Sequence, residues 1–324
     1  MQRIKNISLP KKYPTDKAIK SCGHNIHNYE PEFWEFQYEI FRYLKNVEDA
    51  KLNERHKALC KNLAAYSSES RDVIPIDSFQ SSWYWFRKEH QTRYEFFLRK
   101  LPLPDPPTPR QSINKPYPMK RPTGCDILYR YGYLKPITSF LELGYTKIKP
   151  ASAYKDGIST DPRTDDEKNK ERFYLGEYTS LITQSGDRIP VIGDIKSSVS
   201  ACDYYVLCLS YDYEPLIFNK FSYDACLIIK NPKQFSLRLE TEFKKFFPNW
   251  YFFDGPIQYF DPYEHTKNEC FSPGICKDFS FAYQKEYRFI LDPLKPANEL
   301  KKLIEFNIEL GPLGDICELH VVKT

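Results

Sequence analysis

The sequence predicts an α+β protein with a helical N-terminal part and a strand-rich remainder. Three observations carry this expectation. Apolar residues recur at helical spacing through the first hundred positions, a proline-dominated stretch follows, and from Cys125 onward short apolar runs are separated by turns. Regular strand–helix alternation is absent, which argues against a doubly wound parallel sheet.

Each element follows from local pattern. Pro31 to Leu44 (PEFWEFQYEIFRYL) places apolar residues at helical spacing behind a proline suited to a first turn. Asp49 to Tyr66 and Asp77 to Lys100 read as two further helices, so residues 1–100 form a helical N-terminal domain or cap. Residues 101–122 (LPLPDPPTPRQSINKPYPMKRP) support neither a central strand nor an unbroken helix, and read as a semi-extended linker. In residues 123–324, strands are expected at Ile127–Tyr131, Tyr145–Lys149, Tyr204–Ser210, Ala225–Lys230, Gln258–Phe260, Tyr287–Leu291 and Glu318–Val322. Helices are expected at Ile137–Leu143, Leu237–Phe247 and Ala297–Phe306, and the polar stretch from Asp156 to Glu171 begins as a loop. There is no internal repeat.

Composition narrows the function classes. The 324 residues suffice for one large or two moderate domains, and 47 basic against 43 acidic residues give a net charge of +4. That excess predicts neither strong nucleic-acid binding nor its absence. With 25 Tyr and 23 Phe, many tyrosines must be half-buried or line grooves, where their hydroxyls need partners. The nine cysteines show no C-x2-C pair, so reduced thiols are expected. There is no signal peptide and no run of eighteen apolar residues, so the expectation is a cytoplasmic protein without a membrane span. Phosphate-loop, G-x-G-x-x-G and H-E-x-x-H motifs are absent. Cys22, His24 and His27 have no fourth ligand nearby, and no metal centre is predicted.

Three strand-like segments offer a cation, a hydroxyl and a carboxylate. Arg130 lies inside LYRY, where a guanidinium is costly unless it is paired or meets a phosphate. Ser210 closes the run YVLCLS, as a plain strand end or as a group that orients another polar side chain. Glu286 opens EYRFIL two residues after Gln284, and beside Lys285 and Arg288 it also reads as a surface carboxylate. Trp83 to Lys100 interleaves aromatic and basic residues, a pattern open to nucleic-acid stacking and, with more weight, to inward helix packing.

Residues 125–291 resemble the ADP-ribosyltransferase fold of the arginine-serine-glutamate type. More narrowly, they are similar to an uncharacterised bacterial group related to transferase toxins of toxin–antitoxin and phage-defence systems. The matching pieces are LYRYG (128–132), YTKIKPASAYKD (145–156), YVLCLS (205–210), FSYDACLII (221–229) and FAYQKEYRFIL (281–291). The chain departs from the family at Leu209-Ser210-Tyr211, which stands where a Ser-Thr-Ser triplet is usual.

The resemblance implies split antiparallel sheets with an NAD cleft between them, and a mono-ADP-ribosyltransferase that acts as a toxin or defence effector. Arg130 would hold the diphosphate or the nicotinamide ribose, and Ser210 would fix the Glu286 side chain or the ribose. Glu286 would accept the ribose 2'-hydroxyl and stabilise an oxocarbenium-like centre, in a partly solvated cleft. Gln284 would face the nucleophile. Tyr154, ahead of Tyr211 and Tyr223, would stack on nicotinamide, with Tyr129 beside Arg130. RNA, DNA, a protein side chain or a small molecule would each suit as acceptor, with a macromolecule expected. A toxin also implies restraint, by the N-terminal helices or by a separate antitoxin. A non-catalytic nucleotide- or protein-binding module and an NAD glycohydrolase are the alternatives.

Overall fold

The computed structural model describes residues 31–66, 82–105, 126–154, 166–264, 272–293 and 302–322. The linker from residue 106, Cys22, His24, His27, Lys155 and Asp156 lie outside them. The chain forms two compact units, Met1–Ile113 with Phe173–Ile195, and Asn114–Arg172 with Lys196–Thr324.

In the first unit, α1 (Pro31–Ile40), α2 (Asp49–Tyr66) and α3 (Ser82–Leu98) pack through Trp34, Tyr38, Leu59, Leu63, Trp85 and Phe96, all buried. The Glu95 carboxylate is buried and accepts from Tyr38 Oη (2.6 Å), Arg42 Nε (2.8 Å) and Arg99 Nε (2.6 Å). Arg99 also donates to the Val47 carbonyl at 2.6 Å, tying the α1–α2 turn to the end of α3. Much of the aromatic–basic pattern of α3 is therefore inward packing: Lys88 is buried with its ammonium 4.6 Å from the Tyr43 ring centre. The same unit holds the hairpin of β4 (Ser180–Ile182) and β5 (Arg188–Pro190).

The second unit is mixed α+β, built on an eight-stranded antiparallel sheet. Its strands are β1 (Leu128–Gly132), β2 (Tyr145–Pro150), β7 (Tyr205–Ser210), β8 (Ala225–Ile229), β9 (Tyr251–Pro256), β12 (Glu286–Asp292), β13 (Phe306–Glu309) and β14 (Cys317–Val321). Outside it, β3 (Asn169–Tyr174) pairs with β6 (Ile195–Ser200), and β10 (Gln258–Phe260) with β11 (Cys276–Asp278). The order β13-β2-β7-β1-β8-β14 carries β12 on the other edge of β7 and β9 beyond it.

Helices pack on both faces of the sheet, Ile137 and Phe235 against the main core and Ile217 and Phe218 against Tyr129, Tyr131 and Ile228 on the opposite face. In α4 (Leu134–Leu143), Ile137 and Phe140 are buried. Gly144 ends it at φ 66°, and a Cβ there would lie 2.4 Å from the Gly311 carbonyl oxygen, so only glycine fits. Helix α5 (Pro215–Phe221) starts at Glu214, whose carboxylate accepts from Leu216 N. Asn231 caps α6 (Pro232–Phe246) in the same way, ahead of a first-turn proline. Phe235, Leu239 and Phe243 of α6 meet Tyr205, Leu207, Leu209, Phe289 and Leu291 in the main core. The two-residue period of β7 and β12 turns Cys208, Ser210, Glu286 and Arg288 away from that core.

One helix expectation is corrected at Ala297–Phe306. Residues 297–301 lie outside the description, 302–305 have no regular structure, and Phe306 opens β13, which pairs with β2. The Phe306 ring sits 4.8 Å from that of Tyr205, so its burial satisfies a sheet edge rather than a helix face.

Along its whole length β7 pairs with β12, from Glu286↔Ser210 to Leu291↔Tyr205. Its other edge is shared. There β2 takes Tyr205 and Val206, and β1 takes Ser210. Among the described residues no strand joins Leu207 to Leu209 on that edge, which leaves a notch in the middle of the sheet.

Candidate active site

The notch opens into a cavity of about 280 Å³ lined by Arg130, Tyr154, Ser210, Gln284 and Glu286, among others. Arg130 reaches it from β1 and donates through Nη1 to the Cys208 carbonyl at 2.7 Å, inside the gap. Tyr154 comes from the 3-10 turn Ala151–Tyr154 that follows β2. That turn is held by Asp203, which accepts from Ser152 N (2.9 Å) and Ser152 Oγ (2.6 Å). Tyr129 and Tyr223 also line the cavity; Tyr211 does not, since its ring packs against the main core on the other side of the sheet.

Ser210 acts on the backbone. Its hydroxyl lies 2.7 Å from the Asp212 carbonyl, 2.9 Å from that of Gln284 and 3.1 Å from that of Lys285. It thus braces the turn that precedes Glu286, where fixing of the Glu286 side chain was expected. Lys285 sits in that turn at φ 48°, with its buried ammonium 2.7 Å from Asp212 Oδ2. Glu286 N donates to Tyr259 Oη at 2.9 Å, so the first residue of β12 is pinned from two sides.

Glu286 is only 3% exposed, which corrects the expectation of a partly solvated carboxylate. Its Oε2 is 2.8 Å from Lys277 Nζ and its Oε1 accepts from Arg288 Nε at 2.6 Å. Burial alone would push this carboxyl up, but the Arg288 and Lys277 cations outweigh it and hold the group well below the usual carboxylate range. Glu167, 4% exposed, is a second carboxylate on the same cations. It lies 2.6 Å from Arg288 Nη2, an ion pair whose off-line geometry falls outside hydrogen bonding, and 3.5 Å from Lys277 Nζ. Arg288 also donates to the Gly274 carbonyl at 2.9 Å, and Lys277 to Gln284 Oε1 at 3.1 Å.

Two carboxylates and two cations therefore interlock on the cavity wall, and a third buried cation, Lys170, stands 4.0 Å from Glu167 Oε2. Lys277 and Glu167 escaped sequence reasoning because Lys277 lies in the short β11 and Glu167 just before β3, both unrecognised there. Arg288 was legible, since the strand period puts it on the face of Glu286.

A second cavity, of about 640 Å³, shares Arg130, Tyr131 and Tyr223 with the first and adds Lys135 and Lys147. Among the described residues, no group of His, Cys, Asp or Glu side chains is placed to hold a metal ion. Six cysteines there are free thiols, and no helix is long and apolar enough to cross a membrane. Comparisons of the chain with protein-family models, with curated proteins and with solved structures give no match.

Proposed function

We propose that the protein is a mono-ADP-ribosyltransferase of the arginine-serine-glutamate type, which cleaves NAD and passes ADP-ribose to a macromolecular acceptor. The observation that supports it is convergence: Arg130, Ser210 and Glu286, from three adjoining strands, line one cavity with Gln284 and Tyr154. In this reading the split of the sheet beside β7 is the cleft of an ADP-ribosyltransferase fold. The toxin or phage-defence role, like restraint by an antitoxin, rests on the sequence resemblance.

The chemistry follows from the groups present. The diphosphate lies beside Arg130 and Lys149, which offer charge-assisted bonds. Nicotinamide stacks on Tyr154 and the attached ribose faces Glu286. The bond between ribose C1' and the pyridinium nitrogen breaks, with the electron pair leaving on neutral nicotinamide. The ionised Glu286 stabilises the positive ribosyl centre. An acceptor nucleophile near Gln284 then bonds to C1' and releases its proton.

The second reading is a binding module that recognises a nucleotide without turnover. One observation favours it: both Glu286 oxygens are already engaged by Lys277 and Arg288. Purified wild type and Glu286→Gln, incubated in lysate with NAD labelled on the adenine side, separate the readings. The transferase puts label on nuclease- or protease-sensitive material, and Glu286→Gln lowers the rate about 10²- to 10³-fold, as for a lost charge-stabilising group. Free nicotinamide without transferred label marks a glycohydrolase, and neither product marks the binding module.

A further inference from the structure

We propose that Lys277 and Glu167 are positioning residues: Lys277 rests on Glu286 between turnovers and shifts to Glu167 as charge develops on the ribose. This rests on the ADP-ribosyltransferase reading. A carboxylate that must stabilise a cation is poorly served by two cations already within hydrogen-bond distance. One of them has to give way.

The geometry distinguishes the two. Arg288 is fixed by three groups, Glu286 on Nε, the Gly274 carbonyl on Nη1 and Glu167 on Nη2. Two of these contacts are hydrogen bonds and the third is an ion pair on the same rigid plane, so moving the guanidinium would disturb them together. Lys277 is a point charge on a flexible stem. Its Nζ stands 2.8 Å from Glu286, 3.1 Å from Gln284 Oε1 and 3.5 Å from the second carboxylate, Glu167. A displacement of about an ångström exchanges one carboxylate for the other.

The move has two effects at once. It leaves Glu286 with Arg288 alone, which restores net negative character toward the ribose. It also releases the side-chain oxygen Gln284 Oε1 from Lys277, so that it can meet the incoming nucleophile. Positive charge on C1' drives it, because like charges repel strongly where water is excluded, and Lys277, Glu286 and Glu167 are all nearly buried. Lys277 has a carboxylate beside it at both ends of the move, so the shift leaves its buried ammonium paired throughout.

The test is a double-mutant cycle on nicotinamide release from NAD, with Glu167→Gln, Lys277→Met and the pair. Glu167→Gln keeps the shape but withholds the second seat. It lowers kcat about tenfold, the effect of withholding one charge-assisted hydrogen bond, and leaves KM within about twofold, as for an interaction made only in the transition state. Lys277→Met, with no ammonium to move, raises kcat, and Glu167→Gln added to it costs nothing further. If both single variants lose activity in step with their melting temperatures and the pair is worse than either, the two residues are scaffold and the proposal falls. Should Lys277→Met fail to fold, the kcat-against-KM split of Glu167→Gln decides alone: a wild-type kcat overturns the proposal. A wild type that binds NAD by calorimetry but releases no nicotinamide overturns the transferase reading, and this inference with it.

Discussion

Ser210 has one proton to donate and three carbonyl oxygens around it, those of Asp212, Gln284 and Lys285. Its worth lies in keeping the turn before Glu286 closed. Ser210→Ala leaves buried acceptors short of a donor and should cost about 1–3 kcal/mol, read as a lower urea midpoint at unchanged slope. The same variant should lower kcat, because Gln284 and Glu286 sit on either side of the loosened turn. A residue confined to a plain strand end would cost stability and leave the reaction alone. The sequence singles out Ser210 and Glu286 because each marks the end of an apolar run. It is silent about Lys277 and Glu167, whose partners are set by how β11 and the start of β3 come to the cavity. No local spacing encodes a contact of that kind.

At the scale of elements, periodicity was legible in several elements with one buried face. Helix α2 falls at Asp49–Tyr66 and β10 at Gln258–Phe260, as their patterns predict. It failed where a short strand is shaped by pairing: β9 has the mixed sequence YFFDGP, yet it pairs with β12 along six residues. Propensity is weak there, and cross-strand neighbours decide. Gly144 makes a sharper case, since its turn links α4 to β2 beside Leu310 and Gly311. Gly144→Ala forces a Cβ into the left-handed region and onto a backbone oxygen. We expect at least about 1–2 kcal/mol of lost stability, seen as a lower melting temperature.

For the molecule as a whole, the buried ion set gives a pH signature. Glu286 is held below the usual carboxylate range by Arg288 and Lys277 against the opposing effect of burial. A carboxylate depressed in the folded state stabilises fully above its unfolded value of about 4.3 and loses that contribution as pH falls toward the folded value. Melting temperature should therefore hold between about pH 6 and 7 and drop below about pH 4. The acid slope should be shallower in Glu286→Gln, measured by thermal melts across that range. If the slopes match, Glu286 is not the group that titrates. The α+β class was legible from composition and periodicity, but the sheet order was not, because β2 and β1 reach β7 through separate, distant connections.

The sharing of one edge of β7 between β2 and β1 has a mechanical consequence. The sheet has two leaves, β13–β2 on one side and β1–β8–β14 on the other, which share one edge of β7 and are bridged on the core face by α4. On the cavity side, where they part, the gap along β7 is stitched at mid-length by the Arg130–Cys208 contact. Anything that draws the Arg130 guanidinium toward a ligand also unpicks that stitch, so filling the cavity frees a backbone acceptor in the middle of β7.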